Sequence, residues 1–132
     1  MSDVIGLLEE HPSKEQFVGT LRQDIIDLLK LELPAGNILI NPGAIKHIKR
    51  KHMKIFKQYF QSIPDIISNP DYVGINPTEP NSVELVKVFS DNILVAIKLD
   101  RWGNLSFSSI YDIKPGKLEN RLASGRLKKI LL

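Results

Sequence analysis

The chain has 132 residues, a formal net charge of +3 and no cysteine. That length suits one domain able to bury roughly two-thirds of its unfolded surface. The missing thiols exclude a disulfide framework, a thiolate zinc site, a cysteine nucleophile and an iron–sulfur cluster. No apolar run approaches the roughly 20 residues of a membrane span, and the start Met-Ser-Asp-Val-Ile-Gly lacks a signal-peptide pattern, so a cytoplasmic protein without a membrane role is expected.

Residues 13–32 read as an amphipathic helix. Ser13 and Gln16 have capping-box spacing, and Phe17, Val18, Leu21, Ile25, Leu28 and Leu29 recur at helical intervals. Leu33-Pro34-Ala35-Gly36 closes it, because the residue before proline avoids helical backbone. Residues 1–35 are therefore expected to be an N-terminal helical extension, and residues 36–132 the main domain. Ile38, Leu39 and Ile40 form a short strand or a loop anchor.

A second helix should start at Asn41-Pro42, a good cap followed by a first-turn proline, and run to about Phe60. Ser62-Ile63-Pro64-Asp65 opens a short helix that Asn69-Pro70 closes. The period then changes. Asp71–Ile75, Val83–Ser90, Ile93–Leu99 and Leu105–Tyr111 are rich in β-branched and aromatic residues, as strands are. The segment 76–81 reads as a loop, Asp91-Asn92 as a two-residue hairpin turn, and Asp100–Asn104 as a longer turn with Trp102 at its tip. Lys114-Pro115 opens a helix of about 116–123, ended by Gly125, and Arg126–Leu132 is an edge strand or a tail. The expected fold is α+β: N-terminal helices packed on a four-stranded antiparallel sheet, with a short C-terminal helix.

Charge is unevenly distributed. Residues 1–36 hold three Lys/Arg against seven Asp/Glu, and residues 37–132 hold fifteen against eight. The densest stretch, 45–60, carries six Lys/Arg, two His and no carboxylate. Such a field favours a polyanion, although a solvated helix face has the same composition. Ile45, Ile48, Ile55, Phe56 and Tyr59 share one helical stripe with His52 near its middle. His47 lies about 140° away at 100° per residue, a poor geometry for a zinc pair. An imidazole titrating near neutrality suits general acid–base catalysis. A core hydrogen bond for His52 and simple solvation for His47 are the plain alternatives.

The run H-I-K-R-K-H followed by I-P-D-I-I-S-N-P-D-Y-V-G resembles the phage-associated barnase/EndoU/colicin/RelE-like nuclease domains. N-S-V-E-L-V-K-V-F, N-I-L-V-A-I-K-L-D, S-S-I-Y-D-I and R-L-A-S-G-R-L-K-K resemble them as well, over about residues 36–130. The resemblance implies a small metal-independent endoribonuclease without cofactor, of prophage or mobile-element origin, in a toxin or effector role. Carried over by position, His47 and His52 fall on the family's helical motif and Ser109 on the polar position of the last sheet strand. Arg121 and Arg126 fall in its basic C-terminal motif.

The expected catalytic set is His47, His52, Ser109 and Arg121. Lys46, Lys49, Arg50, Lys51, Lys54, Lys87, Lys98, Tyr111 and Arg126 are expected to bind the RNA substrate. The cations supply backbone affinity and Tyr111 a stacking surface. A noncatalytic RNA-binding or protein-interaction module on the same fold is the alternative. A toxic nuclease needs restraint, so an inhibitor or immunity protein is an expected partner. The acidic N-terminal segment, masking the cationic site, is a second candidate for that restraint.

Overall fold

The computed structural model describes residues 16–32, 36–40, 42–100 and 103–130. The expected cap at Ser13, the helix stop at 33–35, the cap at Asn41 and the Trp102 hairpin tip lie outside these residues. The described chain runs β1 (Gln16–Leu21), α1 (Gln23–Leu29), β2 (Gly36–Ile40), α2 (Pro42–Lys51), α3 (Met53–Tyr59), a 3-10 turn (Phe60–Ser62) and α4 (Ile63–Ser68). It continues as β3 (Tyr72–Asn76), β4 (Glu79–Val88), β5 (Asn92–Leu99), β6 (Leu105–Ile113), α5 (Pro115–Ala123) and β7 (Leu127–Lys129).

The α+β class holds, but among the described residues the sheet has seven strands rather than four and is mixed rather than antiparallel. Its order is β1-β2-β6-β5-β4-β3-β7. The four expected strands form the central meander β3–β6, paired antiparallel throughout. β7 adds to one edge against β3. On the other side β2 joins β6 in parallel through only Ile38↔Leu105 and Leu39↔Ser106, and β1 pairs antiparallel with β2.

The expected helix over 13–32 is instead a strand followed by a short helix. The reason is a β-bulge: the β1–β2 register shifts between Phe17 and Gly19. A bulge inserts one residue and resets the two-residue alternation. Val18 and Leu21, three apart, are therefore both buried in a strand, and that spacing imitates a helix. Gly19 is needed there, since a Cβ would stand 2.9 Å from Ile67 Cγ2 of α4.

The single helix expected over 42–60 is broken at His52, whose backbone is φ −137°, ψ 46°. The hydrogen-bond ladder survives: the His52 N–H donates to Ile48 O at 2.7 Å, and its carbonyl accepts from Phe56 N–H at 2.8 Å. The bend lets Ile48 of α2 and Ile55, Phe56 and Tyr59 of α3 all reach the core. Two turns also differ from expectation. β3 and β4 meet through the two-residue turn Pro77-Thr78, where the Asn76 carboxamide oxygen accepts from Thr78 N–H at 3.0 Å, so Glu79–Asn81 are already strand. β4 and β5 join through three residues, 89–91, with Phe89 N–H donating to Asp91 O.

The core has two layers. Helices α1–α4 cover one sheet face, where Phe60, Ile63, Ile66 and Ile67 meet Val83, Leu85, Val95, Ile97, Phe107 and Ile110. The other face carries a smaller cluster of Val86, Leu94, Ala96, Ile113 and Leu127 under Leu118 of α5. That leaves much of the second face for other work.

Candidate active site

Strand β4 reads Val83-Glu84-Leu85-Val86, so Glu84 projects to the second face with Val86. It is only 1% exposed. A buried carboxylate is costly unless paired, and Arg126 pairs it in a fork: Nε to Oε1 and Nη2 to Oε2, both 2.8 Å. The pKa of Arg126 is raised, first by these hydrogen bonds, against the lowering effect of burial, and then by the negative charge of Glu84. A second guanidinium, Arg121 Nη1 from α5, lies 3.8 Å from Glu84 Oε2. That is ion-pair range but too long for a hydrogen bond. Both carboxylate oxygens already accept from Arg126, and Arg121 Nη1 is buried with no hydrogen-bond partner.

The row containing Glu84 crosses the sheet as Gly74, Glu84, Ala96 and Ser109. The next row runs Val86, Leu94, Tyr111. Ser109 and Tyr111 are both half-buried on this face. They reach it because the β5–β6 register shifts between Ala96 and Ile97, making Ser108 an extra residue. Without that bulge Ser109 would share the helix-covered side with Phe107. Beyond Tyr111 stands His52, whose ring centroid is 6.0 Å from that of Tyr111 at 32°. The bend between α2 and α3 carries the imidazole to the open edge of β6. There it borders a cleft of about 330 Å³ lined also by Lys51, Lys54, Asp91, Asp112 and Lys114.

Of the expected site residues, His52, Tyr111, Ser109, Arg126 and Arg121 thus lie along one sheet face and its β6 edge. Lys98 is exposed on the same face, in the row Ser82, Lys98, Ser106. The others lie elsewhere. His47, Lys46 and Arg50 are exposed on α2, and among the described residues no hydrogen bond, ion pair or ring contact holds the His47 side chain. Lys49 holds its ammonium 5.3 Å above the Phe56 ring. Lys87 donates to the Asn69 carbonyl at 2.8 Å and lies 3.8 Å from Asp65, so its charge is occupied within the fold. Among the described residues no cluster of three or more His, Cys, Asp or Glu is arranged to hold a metal ion, and no helix is long and apolar enough to cross a membrane.

Glu84 is the residue that sequence reasoning missed. Its signal was present: a carboxylate set between apolar residues in the run Val83-Glu84-Leu85-Val86. Chemically, the face combines a titratable imidazole, two hydroxyls and two guanidinium groups held by one buried anion. Such a set can move a proton and oppose the charge of a phosphate.

Compared with known protein families, residues 15–120 match the one described as phage-Barnase-EndoU-ColicinE5/D-RelE like nuclease3. The match starts well before residue 36, so β1 and α1 fall within it. Arg121 and Arg126 lie just beyond its end. No curated protein and no solved structure matches the chain.

Proposed function

Because the chain belongs to the phage-Barnase-EndoU-ColicinE5/D-RelE like nuclease family, we propose that this nuclease is an endoribonuclease attacking through the RNA's own 2′-hydroxyl. In that reaction the 2′-hydroxyl gives up its proton, the O2′–P bond forms as the P–O5′ bond breaks, and the leaving oxygen takes a proton. The products are a 2′,3′-cyclic phosphate and a 5′-hydroxyl. The nucleophile comes from the substrate, so the chemistry needs no metal; what it needs is a proton carrier and fixed positive charge.

One observation carries this reading. His52 sits at a helix bend against Tyr111, on the edge of the sheet face that also holds Ser109 and the Arg126–Glu84 fork. His52 is the proton-transfer residue. Ser109 donates its hydroxyl to a phosphate oxygen, Tyr111 offers a stacking surface, and Arg126, two strands away on Glu84, adds positive charge to the same face. His47, exposed on α2, is the second proton-transfer candidate, and Lys46, Arg50, Lys51 and Lys54 add sequence-independent affinity for the strand. The prophage origin, the toxin or effector role and the restraining partner belong to the same reading.

The test is cleavage of mixed RNA in EDTA by wild type, His52→Ala and His47→Ala. Wild type should produce cyclic-phosphate ends. His52→Ala should lose about 10²- to 10⁴-fold in rate while remaining folded, and His47→Ala should lose much less. Full activity in folded His52→Ala would refute the assignment. A wild type that binds RNA without cutting it would be a noncatalytic binding module.

A further inference from the structure

A second cleft, about 810 Å³, lies between α5 and the β3–β4 turn. One face of α5 lines it with Lys117, Asn120, Arg121 and Ser124, spaced three or four apart as a single helical face requires. Arg126 closes one end and Ile75 with Pro77 the other. Three cations border the cleft against one carboxylate beneath it, Glu84. That carboxylate takes the Arg126 fork and also faces Arg121 at 3.8 Å, and one negative charge against three cations leaves a net excess of two.

The state of Arg121 is the sharper observation. Its side chain is 13% exposed, and its buried Nη1 has no hydrogen-bond acceptor among the described residues. A buried charged donor held by one long ion pair and no hydrogen bond is rare in folded proteins, because the lost hydration is only partly replaced. Nη1 lies toward Glu84, while the exposed part of the same side chain borders the roomy cationic cleft, where it can meet an anion. Guanidinium geometry suits the paired oxygens of a phosphate.

The cleft is not where His52 works. Glu84 and Ser109 share a row but stand two strands apart, about 10 Å at the usual strand spacing, and His52 lies beyond Ser109 at the β6 edge. We infer that this cleft binds a backbone phosphate of the RNA strand other than the one being cleaved, with Arg121 as its central donor and Lys117 and Asn120 beside it. This rests on the nuclease reading above and adds a direction to it. The strand crosses the sheet from the β6 edge toward α5, and Arg121 anchors substrate there instead of acting on the scissile bond.

The experiment measures binding, so it does not depend on cleavage. Full-length wild type, Arg121→Gln and Lys117→Gln are titrated with a short, non-cleavable 2′-O-methyl RNA oligonucleotide over a range of salt. Lys117 is exposed on α5, so its variant guards against loss of fold. Arg121→Gln should raise Kd about tenfold or more, as loss of a charged hydrogen bond does. Lys117→Gln should raise it about two- to fivefold. Each should flatten the log–log salt slope by about 0.7. A dinucleotide analogue, too short to span the sheet, should bind all three proteins alike.

Unchanged affinity and slope in both variants would overturn the subsite and leave the nuclease reading standing. Failure of wild type to bind any oligonucleotide at low salt would overturn both. An Arg121-dependent affinity for inorganic phosphate or a nucleoside monophosphate, with oligonucleotide binding unaffected, would assign the cleft to a free anion and overturn the strand assignment.

Discussion

Replacing Gly74 with alanine should unseat the last strand and the ion pair behind it. Gly74 lies between Glu84 on β4 and Leu127 on β7. A Cβ there would stand 1.9 Å from the Arg126 carbonyl oxygen and 2.9 Å from its carbonyl carbon. These are backbone atoms, so no rotamer change relieves the clash. β7 has three paired residues with β3, too few to resist displacement. Forcing a methyl group into a packed site costs about 1–3 kcal/mol. If the shift also withdraws Arg126 from the 1%-exposed Glu84, the buried charge loses its partner, at about 3–5 kcal/mol more. The combined loss, about 4–8 kcal/mol, is a large part of the 5–15 kcal/mol that holds a domain together. Urea denaturation followed by far-ultraviolet circular dichroism measures it. Gly116→Ala in α5, where an added Cβ meets nothing within 4 Å, is the control and should be neutral or slightly stabilising. A Gly74→Ala protein within about 1 kcal/mol of wild type would refute this account of β7 and of the Glu84 site.

Two further outcomes follow from contacts elsewhere in the molecule. Tyr59→Phe removes the hydroxyl that donates to Asp91 Oδ2 at 2.8 Å and ties α3 to the β4–β5 loop. It should destabilise by about 1.5–3 kcal/mol in the same denaturation assay, since the acceptor is charged; a change below about 0.5 kcal/mol would mean that water replaces the bond without loss. Lys46→Gln with Arg50→Gln, both on the exposed surface of α2, should leave the denaturation midpoint unmoved. The pair should weaken oligonucleotide binding and flatten the salt slope by about 1.4; an unaltered slope would remove α2 from the RNA interface.

What the sequence revealed divides along physical lines. The central meander was legible because Val83–Val88 and Ile93–Leu99 are rich in β-branched residues, and α5 was legible from Lys114-Pro115. The apolar stripe of α2 and α3 also came through, since Ile48, Ile55, Phe56 and Tyr59 all enter the core. The failures share a cause: one inserted or bent residue changes phase without changing composition. The bulge beside Val18 made a strand look helical, and the extra residue Ser108, which puts Ser109 and Tyr111 on the face opposite Phe107, left no mark in the sequence. The bend at His52 keeps its ladder bonds, so no proline or glycine marks it. Glu84 was passed over because its partners, Arg121 and Arg126, lie some forty residues on, beyond any local pattern. The parallel seam of β2 with β6 is likewise a meeting of distant segments that short apolar strands do not announce.

That seam bears on how the chain assembles. Among the described residues only two residue pairs join β2 to β6, whereas β3 to β6 are linked by successive hairpins with long antiparallel registers. Contacts between near neighbours in the chain form early, and distant ones wait for loop closure. The meander can thus zip up by itself, while β1 and β2 dock late. They are held by the seam, by Ile67 over Gly19, and by Arg22 Nη1 donating to the Ser68 carbonyl. In native-state hydrogen exchange the amides of β1 and β2 should accordingly open through a lower-energy unit than those of β4 and β5. The protein would breathe at its first two strands while the surface bearing Glu84, Ser109 and Tyr111 stays closed.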